Sequence, residues 1–136
     1  MVVDAQGTPL CAVLSGANIN DHLVLEEAIE AIPPIRNGKP GRPRRRPDKM
    51  HADKAYDFEV CRRALLGRGI VPWIARRGIE SSERLGRFRW VVERTQAWLN
   101  QYRRLKIRYE QRDDIHQAFV SLGCALICLK QLHRFC

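Results

Sequence analysis

Residues 87–112, RFRWVVERTQAWLNQYRRLKIRYEQR, carry the pattern that decides the fold. Apolar residues recur there at helical spacing, with Val91, Trp98 and Tyr102 on one stripe, so we predict a long helix over about residues 88–105. Polar and charged residues recur every three or four positions on another face: Arg89, Glu93, Gln96, Asn100 and Arg103 or Arg104. The carboxylate of Glu93 is therefore expected on a ridge that also bears cations.

Short strands and helices alternate along the rest of the chain. Two apolar runs separated by a segment with Gly and Pro predict an N-terminal β-hairpin, and KMHAD predicts a strand that ends at Asp53. The order of elements predicts an α/β fold. Further predicted elements are helices at about 21–32, 57–67 and 114–132, a strand at 70–74, and an exposed loop rich in Gly, Pro and Arg at about 35–49.

The charge balance points to a polyanionic partner. The chain has 24 Lys and Arg against 15 Asp and Glu, a formal net charge of +9, and 45% of its 136 residues are hydrophobic, which is enough for a folded core. This balance favours nucleic acid over a membrane surface, with a solvated basic face as the simpler alternative. The sequence shows no apolar run expected to span a bilayer, and its N-terminus does not resemble a signal peptide.

The five cysteines are scattered and odd in number, and without a secretion signal we expect reduced thiols, some of them buried. Four residues near the C-terminus follow the spacing C-x3-C-x4-H-x2-C, which is close to a zinc knuckle: Cys124, Cys128, His133 and Cys136. The apolar run around them predicts a helix in which Cys124 and Cys128 lie one turn apart. Buried core thiols are therefore favoured over a zinc site.

Two acidic residues are candidates for chemistry. Asp53 follows a predicted strand, and the active sites of open α/β sheets collect at strand ends. Glu93 could bind a metal ion while neighbouring arginines hold phosphates. Pattern alone favours the plainer alternative, a surface pair of Glu93 and Arg89 across one helical turn, worth only about 0.3–0.5 kcal/mol. Asp21 and Asp57 are expected to be helix caps or surface groups.

Three segments, in this order, resemble the insertion sequence five family of DDE transposases: HADKAYDFEVCRRAL at 51–65, GIVPWIARR at 69–77 and the stretch at 87–112. SGANINDH at 15–22 also resembles the family's segment before its first helix. The last stretch is the most specific, with Trp-Val-Val-Glu-Arg-Thr followed by Ala-Trp-Leu and Tyr-Arg-Arg-Leu. The resemblance extends over nearly the whole chain, apart from the first few residues and the Arg-rich loop.

The resemblance implies a ribonuclease H-like fold in which three carboxylates bind two Mg²⁺ or Mn²⁺ ions. Asp53 matches the family's second Asp and Glu93 its final Glu, so both are implied to be catalytic metal ligands. Two divalent ions serve in-line phosphoryl transfer by activating the attacking oxygen and stabilising the leaving one, and Mg²⁺ prefers hard oxygen ligands. Arg89 also matches the family pattern, whereas Gly86 stands in place of a Tyr and Asn100 in place of a Lys.

The family's first Asp belongs to a strand before the hairpin, and no such strand is found in these 136 residues. In the resembled fold that strand is central, between the hairpin and the strand that ends at Asp53, so we expect a gap in the sheet with unpaired backbone groups. Asp4 is a poor substitute because it lies at the turn end of the first hairpin strand. The chain is then an N-terminally truncated catalytic domain, either a relic or the second frame of an element whose two frames are joined by frameshifting.

Positive charge is concentrated in the predicted loop, at Arg42, Arg44, Arg45 and Arg46. Such a loop suits phosphate contacts, which add salt-dependent affinity without reading the DNA sequence. A solvated loop is the simpler alternative, and the net charge and the resemblance favour DNA contact. The other predicted contacts lie on or beside the long helix: Arg89, Arg94, Arg103 and Arg104.

The leading hypothesis is the C-terminal catalytic part of a DNA transposase, which acts by cut-and-paste, metal-dependent phosphoryl transfer and is inactive alone. Two alternatives stay open: a non-catalytic DNA-binding remnant, and a ribonuclease H-like metal nuclease that hydrolyses DNA without strand transfer. Expected partners are the transposon ends and target DNA, an upstream-frame product that carries the first Asp, and a second copy of the chain. No membrane is expected, and the resemblance implies the bacterial cytoplasm, close to the nucleoid.

Overall fold

The computed structural model describes residues 1–16, 18–36, 38, 40–78 and 82–133, without the side chains of residue 21 and residues 82–89. The chain divides into two compact units, one formed by residues 1–14 and 90–136 and the other by residues 15–89. The mixed order of elements agrees with the predicted α/β class. In the described residues these are β1 Val2–Val3, β2 Pro9–Cys11, α1 Leu25–Glu30, β3 Lys49–Ala52, α2 Glu59–Leu66, β4 Val71–Ile74, α3 Ser82–Leu99, α4 Arg103–Lys106 and α5 Asp113–Leu132.

The strands β1 and β2 form the predicted antiparallel hairpin. Asp4 shapes its turn, because its Oδ1 accepts hydrogen bonds from the backbone N–H groups of Gln6 and Thr8 at 2.9 and 2.8 Å. Gly7 follows with a φ of 84°, a conformation that strains any residue with a Cβ. One carboxylate oxygen of Asp4 is thus committed to the turn.

Two side chains that follow Glu93 anchor α3 on the hairpin turn. Thr95 is fully buried, and its hydroxyl donates to the carbonyl oxygen of Gly7 at 2.8 Å. Arg94 donates from Nη2 to the carbonyl oxygen of Gln6. A Cβ on Gly7 would lie 2.8 Å from Arg94 Nη2 and 3.0 Å from Thr95 Oγ1, so this close approach requires glycine.

Helix α5 packs its inner face in the same unit. Val120, Gly123 and Ile127 are buried on that face. A Cβ on Gly123 would lie 2.8 Å from Leu105 Cδ1 and 2.9 Å from Leu99 Cδ2. The absence of a side chain at this position therefore lets α3 and α4 pack closely against the middle of α5.

Polar contacts tie α5 to the hairpin. Gln117 donates from Nε2 to the carbonyl oxygen of Ala12 at 2.8 Å, and Thr8 donates from Oγ1 to Gln131 Oε1 at 2.7 Å. By length and composition alone, α5 is the one helix of the described residues that could cross a membrane, so the expectation that no apolar run reaches that length is wrong. The two glutamine contacts attach the helix to the hairpin of its unit, although only 11% of its most apolar stretch is buried.

In the other unit, β3 and β4 form a parallel pair whose crossover connection is α2. Met50 and Ile74 are buried on one face of this pair. Leu65 of α2 and Ile29 of α1 are almost fully buried as well, as is Ile70 just before β4. These side chains form the apolar core that positions the end of β3, where Asp53 follows.

The strands of the described residues form two separate two-stranded sheets, β1 with β2 and β3 with β4. No ladder joins the two pairs within that part of the chain. The ribonuclease H-like core and its missing central strand remain predictions.

The long helix ends earlier than predicted. α3 stops at Leu99 rather than near residue 105, and a turn separates it from α4. Leu99, Tyr102 and Leu105 nevertheless all approach position 123 of α5, at 2.9, 3.6 and 2.8 Å from where a Cβ would stand. The apolar spacing therefore continues through the break, which is why the sequence pattern does not reveal it.

The helix predicted from Asp21 also starts differently. A 3-10 turn, Asp21–Val24, precedes α1, and the N-cap position is Asn20, whose extended backbone ends the preceding loop. The prediction of Asp21 as the cap is therefore wrong, since its backbone already belongs to the first turn.

We expect Thr95→Val to lower the free energy of unfolding by about 1–3 kcal/mol, because the substitution keeps the side-chain volume but removes a donor from the buried Gly7 carbonyl oxygen. Denaturant unfolding followed by circular dichroism measures the change. Gln96→Ala, at an exposed position of the same helix, is the matched control and should stay within about 0.5 kcal/mol of the unaltered chain. Equal losses in the two variants would contradict the anchoring role.

Candidate active site

Asp53 lies directly after β3, as predicted, and is half-buried. Its backbone is extended, and its side chain caps the 3-10 turn Lys54–Tyr56 by accepting a hydrogen bond from the N–H of Ala55 at 2.8 Å. This bond uses Oδ1. The second carboxylate oxygen remains able to bind a cation, so the residue combines a local structural role with a candidate ligand.

Asp57 closes the turn that starts at Asp53. Its carboxylate accepts hydrogen bonds from Arg62 Nη2 at 2.6 Å and from the backbone N–H of Arg77 at 2.8 Å. Arg62 also donates to the carbonyl oxygen of Ile74 at 3.0 Å. The segment that follows Asp53 is thereby tied to the end of β4.

These bonds hold the pKa of Asp57 below its ordinary value, the Arg62 bond contributing most and the Arg77 N–H next. The Asp57 side chain is only 19% exposed. Asp57 is the C-cap of the turn Lys54–Tyr56, which is one of the two expected roles. Its contact with Arg77 lies 20 positions away, and no local pattern predicts it.

Glu93 is exposed on α3. Successive helical residues are about 100° apart, so the burial of Thr95 turns Glu93 towards the other side of the helix. The Arg89 side chain lies outside the described residues, and its predicted pairing with Glu93 therefore stays a prediction. Asp53 and Glu93 belong to different units of the chain.

Residues 1–128, which include Asp53 and Glu93, match the family described as a transposase DDE domain. The chain belongs to this family. The resemblance noted in the sequence is thus confirmed, and it rests on nearly the whole chain rather than on a single motif.

One relative of this DDE domain comes from Burkholderia cepacia and is named "Putative transposase for insertion sequence element IS402". The two are 57% identical over 134 residues, which cover 98% of this chain and 63% of the relative. The DDE domain described here therefore spans less than two thirds of that protein. No solved structure matches the chain.

The donor chemistry of Asp53 and Glu93 fits a hard divalent cation, since both offer carboxylate oxygens. Among the residues that the structure describes, no group of three or more His, Cys, Asp or Glu side chains could hold a metal ion. The described part of the DDE domain thus does not form a complete metal site. Asp53 and Glu93 are two candidate ligands that need further ones.

The loop arginines of the DDE domain are exposed, and the loop is more ordered than its composition predicts. The backbones of Ile35 and Arg44 exchange two hydrogen bonds of 2.8 Å in an isolated antiparallel bridge. The Arg44 side chain pairs with Asp48. The bridge closes the segment 36–43, which contains Arg42, and Arg45 and Arg46 directly follow the bridge. All three of these predicted DNA contacts are exposed.

Arg94 is engaged within the fold. Its guanidinium lies 4.2 Å from the ring centroid of Trp90 and 4.8 Å from that of Trp98, in addition to its bond to the hairpin turn. The i, i+4, i+8 spacing of Trp90, Arg94 and Trp98 is the sequence signal from which this packing could be predicted. This packing limits the freedom of Arg94 to reach DNA.

Arg104 is engaged in a similar way. It donates from Nη1 to Glu110 Oε1 at 2.7 Å, and the Glu110 side chain is only 5% exposed. Its guanidinium also lies 5.5 Å from the ring centroid of Phe119 on α5. Arg103, one position earlier on α4, is exposed and is the better candidate for a phosphate contact.

The described cysteines are Cys11, Cys61, Cys124 and Cys128, and all are free thiols. Burial is the main cause that raises the pKa of each. Cys61 is buried, as expected for some of the thiols, whereas Cys124 and Cys128, which were predicted to be core thiols, are only half-buried. Cys136 lies outside the described residues.

We expect Asp57→Asn to lower the thermal stability of the chain near neutral pH. The variant should also lose less stability than the unaltered chain when the pH is lowered. Because the fold depresses the pKa of Asp57, its stabilisation is present above the ordinary aspartate pKa of about 3.9 and is lost as the pH falls through the lower folded-state value. In thermal unfolding measured between about pH 6 and about pH 2, the melting temperatures of the variant and the unaltered chain should converge at low pH. Asp48→Asn, in a largely exposed ion pair, is the control and should change little.

Proposed function

We propose that this chain is the C-terminal catalytic part of an insertion-sequence DNA transposase, which cuts and joins DNA by metal-dependent phosphoryl transfer. The observation that carries the proposal is the family match over residues 1–128. The sequence resemblance supports it by assigning two of the family's carboxylates to Asp53 and Glu93. The name of the 57% identical relative supports the same activity. The site of action would be the chromosomal DNA of a bacterial cell.

Asp53 and Glu93 would be the second and third carboxylate ligands of two Mg²⁺ or Mn²⁺ ions on a ribonuclease H-like core. The ions, when bound, would stabilise the attacking and leaving oxygens of an in-line displacement. The chain's own contribution is to hold the ligands. The cap to Ala55 and the Asp57–Arg62 link fix the turn of Asp53, and the buried Thr95 fixes the helix face of Glu93.

Activity would require residues beyond the 136, because the first family Asp is not among them and Asp4 lies in the hairpin turn rather than on a strand before the hairpin. We therefore propose that the chain is inactive alone and is completed by a segment that supplies the first strand. That segment would come from the same element, either in one polypeptide or as an upstream-frame product.

The chain joined to the segment of the B. cepacia relative that lies outside the match should cleave DNA carrying the ends of that element, in the presence of Mg²⁺. In that protein, Asp53→Asn should reduce cleavage to background while preserving the cap, since an Asn side-chain oxygen can still accept from Ala55. Glu93→Gln should have the same effect. Glu59→Ala removes an exposed carboxylate of α2 and serves as the matched control that keeps activity.

Full cleavage by either variant would overturn the ligand assignment. The products separate the transposase from a metal nuclease on the same fold: strand transfer joins the cleaved end to target DNA, whereas hydrolysis leaves only free ends.

DNA binding without cleavage is a second candidate function, favoured by the exposed loop arginines. Arg45 and Arg46 are exposed and directly follow the Ile35–Arg44 bridge. Such contacts bind the phosphate backbone and provide little sequence discrimination. This function would persist even where the catalytic site is incomplete.

We expect Arg45→Gln combined with Arg46→Gln to weaken binding of the 136-residue chain to duplex DNA. Each lost phosphate contact should lower the slope of log affinity against log salt by about 0.9. Fluorescence anisotropy at several salt concentrations measures that slope. Arg63→Gln combined with Arg112→Gln removes the same charge from exposed positions elsewhere, and an equal change there would show that net charge alone accounts for binding.

A further inference from the structure

The guanidinium of Arg77 lies against the turn that follows Asp53. Its Nε donates to the carbonyl oxygen of Lys54 at 3.1 Å, and the backbone N–H of the same arginine donates to Asp57 Oδ2 at 2.8 Å. Its Cζ atom also lies 4.7 Å from the ring centroid of Phe58. Three parts of this turn segment therefore hold one arginine that comes from the chain just after β4.

The groups that hold Arg77 are themselves fixed. Phe58 is half-buried, and the ring of His22 stacks on it with the two centroids 4.1 Å apart. Asp57 is bound by Arg62 Nη2 at 2.6 Å, and both of these side chains are largely buried, at 19% and 21% exposed. The support of Arg77 is therefore a packed part of its unit rather than a mobile surface.

The turn uses only one of the five N–H groups of the Arg77 guanidinium. Nε is bound to the turn, and in the part of the chain that the structure describes no acceptor meets Nη1 or Nη2. The residue is exposed, so these two nitrogens are available to a ligand. A planar fork of this kind matches two oxygens of a phosphate, and a guanidinium that is already oriented loses less freedom on binding.

Other arginines of the chain use their terminal nitrogens within the fold. In each of them, Nη1 or Nη2 donates to a carboxylate or to a carbonyl oxygen of the chain: Arg62, Arg68, Arg94 and Arg104. Arg76, directly before Arg77, is exposed and has no bond to the turn. Arg77 thus combines a held guanidinium with terminal nitrogens that remain open.

The held guanidinium belongs to the same turn as a candidate metal ligand. Lys54, whose carbonyl oxygen receives Arg77 Nε, directly follows Asp53, and Asp53 itself caps this turn through the N–H of Ala55. Phosphates follow one another along a DNA strand at about 3.4 Å of axial rise. A strand that approaches Asp53 therefore brings neighbouring phosphates beside the same turn.

We propose that Arg77 is a phosphate-binding residue of the candidate active site. The Asp53 turn orients its guanidinium, and Nη1 and Nη2 bind a phosphate of the DNA backbone. The inference rests on the proposed function for its ligand, because DNA is the polyanion on which that function acts. An arginine with a structural role alone would stabilise the turn and would leave the DNA phosphates untouched.

Fluorescence anisotropy of the 136-residue chain with duplex DNA, at several salt concentrations, tests the contact without cleavage. Arg77→Gln should weaken binding by about tenfold or more and lower the slope of log affinity against log salt by about 0.9. Arg76→Gln is the matched control, since it removes the same charge from the adjacent exposed position, and should change affinity by less than about twofold. Circular dichroism verifies that both variants stay folded.

Arg77→Lys separates the oriented fork from the charge. Lysine keeps the positive charge but has neither the Nε–H group that bonds to the turn nor the planar fork. This variant should therefore bind more weakly than the unaltered chain and should keep a steeper salt dependence than Arg77→Gln. Full affinity in Arg77→Lys would overturn the oriented contact.

Neutral phosphates locate the contact in the protein that is joined to the missing segment of its B. cepacia relative. DNA carrying the ends of that element would hold one methylphosphonate at successive positions near the cleavage site. The unaltered protein should lose affinity at the position that Arg77 binds, and Arg77→Gln should lose nothing further there. An equal additional loss at every position would assign Arg77 a structural role and overturn the proposal.

Equal effects of Arg77→Gln and Arg76→Gln would also overturn it, as would a lower melting temperature of Arg77→Gln with an unchanged salt slope. These results are distinguishable from failure of the proposed function. If the joined protein does not cleave DNA but Arg77→Gln still weakens binding selectively, catalysis fails and the phosphate contact stands. If Asp53→Asn abolishes cleavage but Arg77→Gln behaves like Arg76→Gln, the reverse holds.

Discussion

The anchoring of α3 on the hairpin turn is the constraint on which the first unit depends. The carbonyl oxygen of the buried Gly7 accepts a hydrogen bond from Thr95, and that of the exposed Gln6 accepts one from Arg94. A buried backbone carbonyl without a donor is costly, so this pair of bonds joins the start of the chain to a helix nearly ninety residues later. The same contact decides the exposure of Glu93, because a buried Thr95 leaves that neighbouring carboxylate on the solvent side.

The second unit uses a comparable device near its own candidate ligand. Asp53 caps the turn that follows β3, and Asp57 links the end of this turn to the segment after β4 through Arg62 and the Arg77 backbone. Charge-assisted bonds of this kind are short and directional, so they fix a surface turn that apolar packing would not reach. In both units, a polar contact beside the candidate ligand holds it in place while the ligand itself stays accessible.

The arginines divide into two groups that composition does not distinguish. Arg94 lies between two tryptophan rings and Arg104 against a buried glutamate, so their charge serves the packing of α3, α4 and α5. Arg45 and Arg46 are exposed just after the backbone bridge between Ile35 and Arg44. A net charge of +9 therefore overstates the cationic surface that is free to meet a polyanion.

The sequence by itself determined the alternation of strands and helices, the end of β3 just before Asp53, the helical position of Glu93 and membership of the DDE transposase family. These features rest on short-range periodicity and on motifs, which act between residues close in the chain. Only the tertiary structure decided the break after Leu99, the link at Asp57, the pairing of Arg94 with the hairpin turn and the exposure of the outer face of α5. Each of these depends on which distant segments pack together. The pattern of apolar residues along a helix does not show how much of its apolar surface the rest of the chain covers.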